Sequence, residues 1–375
     1  MQNYPRFSTQ EMARRRLAIE NLIREYELDA IVVYGANRSG SAIQWMSEWP
    51  VTREAALIVR PGRADHLYIQ FYNHVPTARK LAKDAEVRWG GPSTTQTVSE
   101  DLHGSHRVGL IGPIGYKMHA ALKAAVDTLV DLDGAYTRLR MTKSAEEIDW
   151  LRLGARLSDR AIGSLREQVL PGMTEQDLGA IVEAAYLAEG GTNHIHYFGV
   201  TSMSSPDRCV PSQYPTNRKI AAGDILTTEI SASWWGYPGQ VLRSMTIGAE
   251  PTDLYVRLHE VADATFDAVT AVLIDGATAT RVIEAANMIE EAGFTIYDDL
   301  VHGFGGGYFQ PIIGSASRMN GPLTEVVFEA GMTVVVQPNV ITPDVLAGVQ
   351  TGQLVLITKT GVEQLHQAPR GLWRA

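Results

Sequence analysis

The chain has 375 residues but only one cysteine, Cys209. No internal disulfide is possible, so the fold does not depend on an oxidising compartment. No uninterrupted apolar run approaches the ~20 residues that span a bilayer, and no membrane association is expected. The opening Met1-Gln2-Asn3-Tyr4-Pro5-Arg6 lacks the basic stretch and apolar run of a signal peptide, which predicts a cytoplasmic protein. Positive charge is in short supply as well: the formal net charge is -9. Non-specific nucleic-acid binding needs a cationic surface to displace counterions, so no nucleic-acid partner is expected. Internal repeats and low-complexity segments are missing. The glycine run Gly303–Gly307 lacks the Lys-Ser/Thr ending of a phosphate loop.

What is there is an ordinary globular balance, 45% hydrophobic and 20% charged, with length enough for two domains. Met12, Leu17, Leu22, Ile23 and Tyr26 recur at helical spacing between Thr9 and Leu28. Strands follow at 29–35, 55–59, 66–71 and 108–111, with a helix over 116–126. Strands alternating with helices predict a small α/β domain over residues 1–135. A second domain is expected over 140–375. Its first helix is announced by Ser144-Ala145-Glu146-Glu147, the Ser-x-x-Glu form of a capping box, and a second helix starts near Thr174. Beyond these, strands are predicted at 225–231 and 241–247 around a reversal at 234–237. Helices at 254–274 and 278–292 come next, then strands near 301–307, 332–338 and 353–358.

Several landmarks stand in a fixed order. They are Arg140-x-x-Lys143-Ser144-x-x-Glu147, Pro215-Thr216-Asn217-Arg218-Lys219 with Gly223-Asp224, Gly236-Tyr237, Arg243-Ser244, His302-Gly303-Phe304-Gly305, Gln337-Pro338 and Gly348-Val349. Together they resemble the creatinase, prolidase and aminopeptidase-P family, and the stretch from Pro215 to Leu226 looks most like creatinase. The resemblance implies the pita-bread fold, a curved sheet backed by helices, behind a smaller N-terminal domain, and a homodimer.

Most members of that family hold two divalent metals on two aspartates, one histidine and two glutamates. Carried onto this sequence, those positions are Glu229, Gln240, His302, Gln337 and Gly352. Only Glu229 and His302 keep a strong ligand, so neither metal nor other cofactor is expected. Creatinase uses a histidine and two glutamates instead, and Ser212, Leu242 and Gln337 stand there. Its activity is therefore not expected either. These positions imply a metal-independent hydrolase of a C–N bond in a small metabolite, with Glu229 and His302 as catalytic acid and base. A lyase on a carbonyl-bearing substrate, or a non-catalytic binding protein, are the alternatives.

Substrate-binding candidates are His194, His196, Tyr197, Ser212, Gln240, Arg243, Tyr308 and Gln337. Period-two alternation puts His194 and His196 on one side of their strand and Tyr197 on the other. A salt bridge from Glu229 to Arg243 is the competing, purely structural use of that carboxylate.

Overall fold

The computed structural model describes residues 4–319 and 326–375, so residues 1–3 of the opening stretch lie outside it. The chain divides into two units, Met1–Arg140 and Met141–Ala375.

In the first unit, six strands form one sheet: β1 (Ala30–Ala36), β2 (Glu54–Val59), β3 (Asp65–Ile69), β4 (Ala85–Trp89), β5 (Arg107–Ile111) and β6 (Thr128–Asp131). Their order is β4-β3-β2-β1-β5-β6. The central β1 is antiparallel to β2 and parallel to β5. Its run Ile31-Val32-Val33 is fully buried, as a strand covered on both faces requires. Helix Thr9–Glu25 starts at Ser8, whose hydroxyl accepts from the Glu11 amide.

The second unit is built on a larger sheet. Its strands are β7 (Thr192–Ser202), β8 (Asp224–Trp234), β9 (Tyr237–Thr246), β10 (Thr295–Ile296), β11 (Val301–Phe304), β12 (Tyr308–Ile313), β13 (Thr333–Val336), β14 (Val340–Ile341), β15 (Gly352–Ile357), β16 (Val362–Gln364) and β17 (Trp373–Arg374). The main order is β12-β11-β13-β15-β9-β8-β7, with β16 on β15 and β17 on β9; β10 and β14 pair separately. Strands β8 and β9 turn on Trp235 and Gly236, both at positive φ, the two-residue geometry that suits the twist of a hairpin.

Helices Ala145–Gln168 and Glu175–Leu187 cover one face of β7, β8 and β9. Leu157, Ile162, Leu178 and Val182 pack there on Phe198, Ile230, Val241 and Met245. Both helices open with reciprocal caps, Ser144 with Glu147 as expected and Thr174 with Asp177. The first helix lies so close to β9 that a Cβ on Gly154 would meet the Tyr237 carbonyl oxygen at 2.3 Å. The phenol of Tyr237 then donates to the cap residue Glu147 at 2.9 Å. The helix expected over 278–292 is instead two short pieces, Ala279–Ala285 and Met288–Glu291. Asn287 sits at the break, a residue whose side chain competes for backbone bonds inside a helix.

Candidate functional site

The face of β7–β9 turned away from those helices carries the site. In an antiparallel ladder, directly paired residues point to the same side. Glu229 pairs with Tyr197 on one neighbour and Leu242 on the other, and Ser231 pairs with Gln240. The Gln240 amide nitrogen donates to Glu229 Oε1 at 2.5 Å. Loss of water around the Glu229 carboxyl, reinforced by the charges of Asp298 and Asp299, pushes its pKa up to about 8. Glu229 therefore carries a proton at neutral pH.

His302, on β11, is 1% exposed. Its ring stacks on Tyr308 with centroids 4.2 Å apart and meets Phe304 edge-on. Burial brings its pKa down to about 4, opposed by the Gly303 carbonyl and by Gln337. The imidazole is thus neutral, able to accept at one nitrogen and donate at the other. Gln337 donates to the Asp299 carbonyl oxygen at 3.1 Å, and the Tyr308 phenol donates to the Asp299 carboxylate.

The structure does not bring all the expected residues here. Strand β7 carries an irregularity between Asn193 and Ile195 in its pairing with β8. An extra residue breaks the simple alternation, so His194 and His196 do not share a side. His196 is buried toward the helices, where its Nε2 lies 2.7 Å from the Tyr186 hydroxyl. His194 is exposed and meets the edge of Phe304.

Arg243 also points to the helix-covered face. It donates to the carbonyl oxygens of Leu242, Gly352, Ala368 and Pro369 and to Gln353 Oε1. It ties the C-terminal segment to β9 and makes no salt bridge with Glu229. Ser212 lies in a loop bridged to β7 through its amide and the Phe198 carbonyl. Tyr197 and Gln240 lie against Glu229, Tyr308 stacks on His302, and Gln337 holds the Asp299 carbonyl.

Three residues were missed: Asp298, Asp299 and Asn339. The signal was faint but present, two adjacent acids four and three residues before His302. Asn339 Nδ2 donates to Asp298 at 3.3 Å. Burial lifts the Asp298 pKa to about 6.

The donor set does not fit a two-metal centre. Gln240 and Gln337 offer neutral oxygens where two cations need carboxylates to offset their charge. At Gly352 the mismatch is built into the backbone. Its φ is +146°, and a Cβ there would lie 2.2 Å from the Val336 carbonyl oxygen. Among the described residues, no three His, Cys, Asp or Glu side chains are grouped to hold a metal ion.

Residues 149–359 match the model of metallopeptidase family M24. A probable dipeptidase, PepE, of Mycobacterium tuberculosis is 27% identical over 293 residues, which is 76% of this chain and 71% of the relative. An Xaa-Pro dipeptidase of Pyrococcus furiosus is 25% identical over 279 residues, 73% of this chain and 78% of the relative. Among solved structures, a prolidase from Pyrococcus horikoshii superposes with a TM-score of 0.82 at 19% identity, covering 96% of this chain and 99% of that one. Dipeptidase PepE from Mycobacterium ulcerans gives a TM-score of 0.80 at 21% identity, covering 99% of each chain. The pita-bread fold behind an N-terminal domain is thereby shown. The expected function is not: relatives named as dipeptidases, within a metallopeptidase family, overturn the reading as a metal-independent hydrolase of a small metabolite.

Proposed function

The chain belongs to metallopeptidase family M24, and from that membership we propose that it hydrolyses the C–N bond of short peptides on the Glu229 face of its sheet. One observation carries the assignment of the site: Glu229, held by Gln240, keeps a proton at neutral pH and lies within electrostatic reach of Tyr308, whose ring stacks on the neutral imidazole of His302. A protonated carboxyl is the group an amide needs at its leaving nitrogen, because an amine departs only once protonated. The neutral His302 ring accepts a hydrogen bond from the attacking water or from the substrate amide. Tyr308 fixes that ring by stacking on it. No step is routed through a metal, since the residues present do not fit one.

The homodimer and the cytoplasmic location belong to this proposal too. The family resemblance supports the first and the single cysteine, Cys209, the second. No helix among the described residues is long and apolar enough to cross a membrane.

The test is release of amino acids from a panel of dipeptides, Xaa-Pro members included, with and without added manganese chloride. Wild type should hydrolyse at least one peptide, and Glu229→Gln should lose ~100-fold or more in kcat/KM while keeping the circular dichroism spectrum of the folded wild type. Full activity in that variant would remove Glu229 from the chemistry. A panel left wholly intact under both conditions would sink the peptidase reading.

A further inference from the structure

Four neighbouring strands of the first unit meet one end of a polar cleft of ≈ 460 Å³, a volume usual for small-molecule sites. Strand β2 ends one residue before Arg60, and β3 begins two residues after Arg63. The turns at 28–29 and 102–105 lead into β1 and β5. Both rims are tied down. Behind the Arg60 turn, Arg16 Nη2 donates to the carbonyl oxygens of Arg60 at 2.9 Å and Arg63 at 3.2 Å. One nitrogen serves both, so the turn is closed and the two arginines start from neighbouring points of the rim. Across the cleft, Asp29 Oδ2 accepts the amides of His106 at 2.7 Å and Arg107 at 2.9 Å. Walls fixed before a ligand arrives lose less freedom when it binds.

The acids of this cleft are answered, whereas its cations are not. Asp101 Oδ2 accepts from Tyr68 and faces His66 Nδ1, each at 2.7 Å, and Arg60 lies 3.5 Å from the other oxygen. The Arg60 side chain, 11% exposed, gives only Nη2 to Asp101, at 2.5 Å to its carbonyl oxygen. Its Nε and Nη1, and the side chains of Arg63, His103 and Ser105, have no partner among the described residues. The wider charge agrees. Residues 1–140 hold eighteen Lys and Arg against fifteen Asp and Glu, in a chain whose net charge is -9. Unpaired guanidinium donors on a fixed turn of a basic unit select an oxyanion, and the planar fork of arginine matches phosphate.

We propose that this cleft binds a phosphate group on Arg60 and Arg63, with His103 on the facing wall. A phosphate monoester brings three acceptor oxygens and a charge of about −1.5 to −2 at pH 7, enough for both guanidinium groups. Asp29 Oδ1 and the Ser105 hydroxyl suit the hydroxyls of a sugar that carries the phosphate. The site lies wholly within the first unit, and the inference does not rest on the peptide reading.

Calorimetric titration of the full chain at pH 7 tests this with inorganic phosphate, glucose-6-phosphate and glucose. Wild type should bind at least one of the two phosphates more tightly than about 1 mM, and glucose not measurably. At least tenfold tighter binding of glucose-6-phosphate identifies a sugar phosphate as the ligand, and a smaller difference identifies the free ion; either result keeps the proposal. Arg63→Ala, at an exposed side chain, should weaken the bound phosphate at least tenfold with circular dichroism unchanged. Arg60→Gln should do the same, and Arg63→Ala decides alone if that variant does not fold. Lys123→Ala removes one exposed positive charge from helix Tyr116–Ala125, outside the cleft, and should bind as wild type does. No binding of either phosphate, or undiminished binding in Arg63→Ala, overturns the proposal. So does an equal loss in Lys123→Ala, for then the basic unit attracts anions without a site.

Discussion

Glu229 shows what a single position can do when its neighbours change. A carboxylate among Gln240, Asp298 and Asp299 has no cation to compensate it, so it holds its proton up to about pH 8. Two consequences have definite signs. If Glu229 protonates the leaving nitrogen, kcat/KM falls as pH rises through about 8, and a pH–rate profile on a hydrolysed dipeptide will show that limb. A profile that instead rises through the same range would make Glu229 a base. Stability follows the same proton. The folded pKa lies above the unfolded value of about 4.5, so the folded state binds more protons between the two. Stability is complete below about pH 4.5 and is lost as pH climbs through about 8. Glu229→Gln removes that loss, so its melting temperature relative to wild type should rise between pH 5 and pH 9. A constant difference across that range would show an ordinary carboxylate.

Whole elements were more legible in the sequence than their irregularities. Ser144-x-x-Glu147 and Thr174-x-x-Asp177 marked two helix starts because a cap is a local device, readable within four residues. Ser144→Ala should cost about 1 kcal/mol in denaturant unfolding, the usual loss for an N-cap. The extra residue near His194 left no such trace. Whether a strand takes an irregularity depends on what its partner strand presents, and the partner residues on β8, Ser231 and Ala232, lie far along the chain. That is why His194 and His196 were expected on one side of β7, whereas the ladder turns His196 toward the helices. Asp298 and Asn339 escaped for a related reason: their pairing joins β10–β11 to β13–β14 across 41 residues. Gly352 could be read as a missing ligand, but not as a backbone constraint. With φ at +146° and Val336 closing on it, Gly352→Ala should destabilise the chain by about 1–3 kcal/mol. A neutral outcome in the same unfolding experiment would mean that β13 and β15 can separate without cost.

At the scale of the molecule, family membership and site chemistry pull on different parts of the chain. The fold is carried by buried faces such as Phe198, Ile230 and Val241 against the two capped helices, which a changed site leaves intact. The first unit has a core of its own, Val32, Ile58, Val108 and Leu122 among others, and answers to pH by its own group. Asp65, at the start of β3, is 6% exposed. Burial raises its pKa to about 6, although Arg16 lies 3.2 Å away and opposes the shift. Its folded pKa exceeds the ordinary carboxylate value, so its contribution is complete below about pH 4 and lost as pH rises through about 6. Two pKa units correspond to at most about 3 kcal/mol. Asp65→Asn should therefore gain stability relative to wild type between pH 4 and pH 7, with no further gain above. Hydrogen exchange of the β2 and β3 amides, corrected for intrinsic rates, reads this in the first unit alone. Equal protection of the two proteins at every pH would mean that Arg16 neutralises Asp65 fully.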